Sequence, residues 1–418
     1  MSTQNVVCFI PNVLKPIILL ILQKWRVNIN ADNKLSEVYE LKDFFREGKP
    51  LHFVFPIDGD CLNAHDGTLT ENGLEITAAV SAPRGRNVKI NGCAAEFDGQ
   101  NYICTVRLNK SRAGLCKTVL SASDDKGDCD CIAVYDVSKT QGGFRISSDD
   151  NILFLRDIND NRDTYKSIFE NPYLAVYKRA HDLYGAKVHL NLFYETDDMH
   201  TFNEKGQYFN LSMMTDKFKS EFEQNSDWLR LSFHARSEFP PKPYEHTSAQ
   251  RIKEDAQLIN RQIIRFAGQK TLARGTTVHF GTATREGTAA LRTVGYAFLA
   301  GYFEHTKDGK PLVAYYYPDR LTDRIGARDF WMNTEDDILH ARIDLVLNAV
   351  KYPQLLTELE KIRLCPHRAG FLELMIHEQY FYPQYSRHIP EFELLITDSA
   401  KWAVQNGYRG MFFSDELL

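Results

Sequence analysis

Across Gly142-Gly143 the hydrophobic pattern changes period, and that change constrains the fold more than any other feature of the chain. Before it, from about Leu51 to Ser138, short alternating segments are broken by turn signals. Leu51-His52-Phe53-Val54-Phe55 runs into Asp58-Gly59-Asp60, and Leu74 to Val80 ends at Pro83-Arg84-Gly85. Val88-Lys89-Ile90 meets the hairpin signal Asn91-Gly92, and Tyr102 to Val106, Thr118 to Ala122 and Ile132 to Tyr135 follow. Strands at this spacing with no helical period predict an antiparallel β-sandwich over residues 48–140. After the glycines, strands alternate with helical stretches, which predicts a parallel α/β architecture over residues 141–418.

In that second part, Asn171-Pro172 opens a helix that Gly185 ends, and Val188 to Tyr194 reads as a buried strand. Trp228 to Phe233 is a strand ending at His234. A long helix runs from about Ser248 to Phe266, with Thr247 or Ser248 as its cap. Thr277-Val278-His279-Phe280, Tyr296 to Ala300, Phe371 to Ile376 and Gly410 to Phe413 are read as further strands, and Glu391 to Gln405 as the last helix. About seven βα units predict a (β/α) barrel, in which polar stations gather at the C-terminal ends of the strands.

Composition narrows the function. The formal charge of -5 leaves no basic surplus to neutralise phosphates, so no nucleic-acid partner is expected. Residues 1–47 read as an N-terminal extension. Its apolar run Ile17 to Leu22 is too short to cross a membrane and lacks a small-residue cleavage site, so a cytoplasmic protein without stable membrane insertion is expected. Among the eight cysteines there is no CxxC pair. Cys93 and Cys104 flank the turn Phe97 to Gln100 and could pair under oxidising conditions, but free buried thiols are the better expectation.

Four polar stations stand at predicted strand ends. The first is Ser148-Asp149-Asp150; adjacent strand residues face opposite ways, so one acid can hold a metal while the other faces the reacting atom. The second runs from Ser232 to Glu238, and a helical turn after His234 would put His234 and Glu238 on one face, within reach of one ion. The third is the loop His279 to Gly287. The fourth is Leu374-Met375-Ile376-His377-Glu378, with Tyr380, Tyr382 and Tyr385 beyond it. Backbone N–H groups near Asn151 could help hold an oxyanion.

In this order the stations resemble the NodB-homology polysaccharide deacetylases, carbohydrate esterase family 4. Ser147 to Asn151 resembles that family's Thr-Phe-Asp-Asp-Gly motif, and His234 to Glu238 its histidine motif, with Glu238 where a second ligand histidine stands. Leu374 to His377 resembles its Leu-x-His motif. The resemblance implies an α/β fold in the form of a distorted (β/α) barrel, here preceded by a sandwich similar to the immunoglobulin-like modules of bacterial carbohydrate-active enzymes. It implies Asp149 as catalytic base and His377 as general acid. It implies Asp150, His234 and Glu238 as ligands of a divalent ion, zinc first with manganese, nickel or cobalt as alternatives. His279, Arg285 and Tyr380 are expected to touch a carbohydrate substrate. The implied activity is metal-dependent removal of N- or O-acetyl groups. Two other readings stay open: a glycoside hydrolase pairing Asp149 or Asp150 with Glu195, Glu286 or Glu378, and a sugar-binding protein whose catalytic set has decayed.

Overall fold

Hydrogen bonding along Gly143–Asn151 organises the second half of the molecule: all nine residues of this strand are buried, and strands lie in parallel on both sides. In the computed structural model the described residues are 41–110, 114–139, 142–196 and 208–418. The apolar run Ile17 to Leu22 and most of the expected extension lie outside them. Residues 43–418 form one compact unit.

The N-terminal part of that unit is a β-sandwich of two five-stranded sheets. Leu51, Phe53, Leu74, Ile76, Val80, Tyr102, Leu120 and Val134 fill the space between them. The alternation read in the sequence sets which face is buried, as along Cys116–Ser123, where Thr118, Leu120 and Ala122 point inward. The Asn91-Gly92 signal makes the expected hairpin, with φ of 49° and 81° joining Ile90 to its partner Cys93. The cysteines of the described residues are all free. Burial holds only for Cys61: Cys129 and Cys131 share the outward face of their strand and are exposed.

The sandwich joins the α/β part through buried charge. Arg328 grips Asp66 with two bonds of 2.9 Å, and the Arg324 Nε–H donates to Asp60 at 2.9 Å. The indole N–H of Trp331, itself fully buried, donates to the carbonyl of Asp58 at 3.2 Å.

The six-stranded sheet of the α/β part runs in the order Leu229–Ala235, Val188–Phe193, Gly143–Asn151, Phe371–His377, Leu345–Val346, with Arg409–Gly410 added to Gly143–Asn151. A four-stranded sheet follows, in the order Gly275–Thr276, Phe298–Gly301, Ile338–Arg342, Phe330–Asn333. Leu231 of the first sheet makes an isolated bridge to Leu272, just ahead of Gly275–Thr276, and among the described residues no ladder closes the two sheets into a ring. The expected helices form with the expected caps. Asn171 accepts from the Leu174 N–H at the head of Pro172–Tyr184, and Gly185 ends that helix at φ 65°. Ser248 caps Ala249–Ala267 through the Arg251 N–H.

Two segments differ from the sequence reading. The strand expected over Thr277 to Phe280 stops at Thr276, and His279–Gly281 makes a single turn with Phe280 at φ 58°. Gly281 allows it: a Cβ there would stand 2.1 Å from Val313. The strand expected over Gly410 to Phe413 is only Arg409–Gly410, because Phe413 starts a short helix and packs against Phe298, Phe330 and Phe371.

Candidate metal centre

Two β-bulges build the site. Between Ser148 and Asn151 the first strand takes three steps while its neighbour takes two, from Leu190 to Leu192, and Asp150 sits in the excess at φ 62°. On the other side of that neighbour, Leu192 and Phe193 oppose Phe233 and Ala235, so His234 is the extra residue. Both bulges sit at the end of Val188–Phe193, and Asp150 and His234 meet across it. Phe193 supports the arrangement, its ring centroid 5.3 Å from that of His234 and 5.0 Å from that of His279.

The third member arrives from the turn after Thr276. His279 Nδ1 lies 3.0 Å from His234 Nε2 and 3.3 Å from Asp150 Oδ1, and His234 Nε2 lies 3.1 Å from the same oxygen. Asp150, His234 and His279 are all buried. The far nitrogen of each ring is committed. His234 Nδ1 donates to the Thr277 carbonyl at 2.6 Å, and His279 Nε2 donates to the Glu238 carbonyl at 3.1 Å. A carbonyl only accepts, so each far nitrogen carries the proton and each neutral ring turns a lone pair inward. Two lone pairs and a carboxylate oxygen then face one point, an arrangement that needs a proton or a cation. Tetrahedral bonds of ~2.0–2.1 Å separate ligand atoms by about 3.4 Å, close to the spacings here. Gln379 Oε1 and Thr277 Oγ1, buried without hydrogen-bond partners, belong to residues lining the same cavity. The donor set therefore fits a divalent ion.

The electrostatics agree. Burial disfavours a charged His234, but the charge of Asp149 and the bonded, charged carboxylate of Asp150 outweigh it and raise the ring to about 9. Burial also opposes ionisation of Asp150, yet its bonds to His234 and His279 hold it well below the usual carboxylate range. Gln379 Nε2 donates to Asp150 Oδ2 at 2.7 Å, which leaves Oδ1 for the centre.

Glu238 lines the cavity, but the group it turns to the cluster is its main-chain carbonyl, and His279 occupies the third position. The premise that paired it with His234 fails, because residues 236–248 form no helix. The alternation expected for the two acids also fails. With Asp150 in the left-handed region, both Asp149 and Asp150 line one cavity of about 500 Å³.

Asp149 and His377 are register partners on adjacent strands, and both line that cavity. Asn348 Oδ1 accepts from the main-chain N–H of His377 at 3.1 Å and from its Nδ1–H at 2.9 Å, which keeps Nε2 as the ring's other nitrogen. Asp149 ends a buried donor chain with one consistent direction. Glu373 holds Arg145 through bonds of 2.6 and 2.9 Å, and Arg145 donates to His189 Nδ1 at 2.7 Å. His189 Nε2–H then donates to Ser232 at 2.9 Å, Ser232 to Asn191 Oδ1 at 2.5 Å, and Asn191 Nδ2 to Asp149 Oδ1 at 2.6 Å.

Tyr380 lines the cavity as expected, whereas Tyr382 donates to Glu378 at 2.9 Å. Arg285 pairs with Glu335 and lies outside the lining. Glu378, a residue of the glycosidase alternative, takes the N–H groups of Ile152, Leu153 and Phe154 at 2.7, 2.9 and 2.6 Å. These three amides after Asn151 are thereby taken up and do not serve an oxyanion. Glu195 pairs with Arg236, and neither it nor Glu286 lines the cavity. Sequence reasoning missed Asn191, Asn348, Gln379 and Arg387, for which no local motif gave a signal.

No family model and no curated protein matches the sequence. Several solved structures are similar. A putative polysaccharide deacetylase from Mycobacterium smegmatis is 11% identical over 67% of this chain and 91% of its own, with a TM-score of 0.37. A Streptococcus mutans CE4 esterase is 11% identical over 65% of this chain and 85% of its own, with a TM-score of 0.31. A CE4 family pseudoenzyme from Bacillus anthracis is 9% identical over 65% of this chain, with a TM-score of 0.33, and the chain spans 63% of that protein's length.

Proposed function

We propose that this protein is a metal-dependent hydrolase that removes N- or O-linked acyl groups from a carbohydrate, acetyl being the group its motif order implies. The observation that carries the proposal is the convergence of an Asp-His-His donor set, a second carboxylate and a third histidine on one cavity. Asp150, His234 and His279 would hold the ion, zinc being the first candidate and manganese, nickel or cobalt the others. A divalent ion bound there supplies Lewis-acid polarisation of the scissile carbonyl.

Each remaining step falls to a side chain of the protein. Asp149, oriented by the Asn191 amide, takes the proton of the attacking water. His377, fixed by Asn348, gives a proton from Nε2 to the departing amine or alkoxide. The glycoside-hydrolase alternative loses support, since Glu195, Glu286 and Glu378 do not line the cavity.

The test is elemental analysis of the purified protein and of His234→Ala, followed by acetate release from acetylated sugars. One ion per chain, lost in the variant, together with turnover abolished in Asp149→Asn, supports the reading. Absence of any ion after incubation with all four metals overturns it.

A further inference from the structure

The same cavity has a second character that the hydrolytic set does not use. Met375 stands two residues before His377 on its strand, so both side chains leave the same face. Val346 is the register partner of Met375, and Ile343 and Ala349 flank it in sequence. Ile343, Val346, Ala349 and Met375 all line the cavity. Ile343 is fully buried and Met375 is 6% exposed; both belong to one of the molecule's apolar cores, against which Val346 packs. Together they make an aliphatic wall beside the proposed acid, buried at Ile343 and Met375, half-buried at Val346 and reaching the surface at Ala349.

Other parts of the lining differ. They include Glu238 and Arg387 along with Phe280 and Leu312, which are 42% and 38% exposed. This part is braced: Tyr315 N–H donates to the Gly281 carbonyl at 2.7 Å and Tyr302 N–H to the Val313 carbonyl at 2.9 Å. Phe280, Val313 and Tyr315 all have positive φ, of 58°, 49° and 57°. For bulky residues such backbone persists only where its surroundings enforce it.

A sugar's hydroxyls would find no hydrogen-bond partner along these aliphatic side chains, whereas a hydrocarbon chain needs none. Aliphatic side chains suit hydrocarbon, and an acetyl methyl would leave most of the wall uncovered. We propose that the site takes an acyl group longer than acetyl, its chain lying along Ile343, Val346, Ala349 and Met375. This rests on the metal-hydrolase reading and specifies its substrate class.

The test is a series of straight-chain hydroxamates, from acetohydroxamate to octanohydroxamate, titrated calorimetrically into the zinc-loaded full chain and its Val346→Asn variant. Affinity is expected to rise about fourfold per methylene, as burial of hydrocarbon predicts. Val346→Asn should flatten the series while leaving acetohydroxamate affinity and zinc content unchanged. Acetohydroxamate binding with a flat or falling series overturns the inference and leaves the hydrolase reading standing. A rising series that survives Val346→Asn also overturns it, since the wall would not be its source. Failure to retain zinc and to bind any hydroxamate overturns both.

Discussion

His234 and His279 turn Nε2 and Nδ1 toward one another at 3.0 Å, while the opposite nitrogen of each ring donates to a main-chain carbonyl. Neutral rings so oriented repel, and the Asp150 oxygen beside them accepts rather than donates. The contact is relieved by a proton or by a cation, and the two compete for one position.

Competition of that kind sets a pH dependence. With His234 raised to about 9, the metal-free ring is protonated at neutral pH, and an entering ion displaces that proton. Zinc affinity is expected to rise roughly tenfold per pH unit from about pH 6.5 to about pH 9 and then level off. Calorimetry in buffers of different ionisation enthalpy should count close to one proton released. For the metal-free fold the sign is reversed. A raised histidine pKa stabilises fully below its unfolded value of 6.5, and that contribution fades as pH rises through about 9, so the melting temperature should fall over this window.

Ligand substitutions separate His279 from Glu238. His279→Ala is expected to weaken zinc binding by at least about a hundredfold, because it removes an imidazole from the donor set. Glu238→Ala, which keeps the main-chain carbonyl, should hold the ion within a few-fold of the parent. Competition against a chromophoric chelator measures both.

Asp149→Asn should keep the ion and lose about 10²–10⁴ of turnover, since the amide cannot take the water's proton. Retained zinc with retained turnover would remove Asp149 from the mechanism.

The Arg145–Glu373 pair is almost wholly excluded from water, at 2% and 1% side-chain exposure. Glu373→Ala leaves the guanidinium charge uncompensated and is expected to cost about 3–5 kcal/mol in a denaturant titration. Replacing both residues together, with Arg145→Met and Glu373→Leu, should recover much of that loss.

Glu378→Ala removes the acceptor of three amides at the head of Leu153–Asp160. A loss of about 2–4 kcal/mol in stability is expected. Zinc content should stay unchanged, because Glu378 does not contribute to the donor set.

Much of this architecture can be read from sequence, for identifiable reasons. The Asn91-Gly92 hairpin and the helices capped by Asn171 and Ser248 follow from local rules, and the structure obeys them. Asp149, Asp150, His234 and His377 are legible as polar residues at the ends of apolar strands, and the structure gathers them on one cavity. His279 is visible as a station, but its place beside Asp150 depends on a turn whose φ of 58° at Phe280 no propensity predicts. The pairing of Glu238 with His234 has the same root: i,i+4 spacing has meaning only on a helix, and residues 236–248 form none. Asn191, Asn348 and Gln379 escape because their partners are distant in sequence, and an amide in a strand or loop looks like any other.

The bulge at Asp150 carries a consequence for change in this molecule. Along Gly143–Asn151 the residues before and after the excess position belong to opposite parities, so one inserted residue separates a buried strand from a reactive one. A single-codon deletion at Asp149 or Asp150 would restore ordinary alternation and erase the gathering of acids and histidines without touching the sandwich or the helices. The chemistry is thus held by a length difference between two neighbouring strands, and indels, more than substitutions, are the mutational steps that could create or extinguish it.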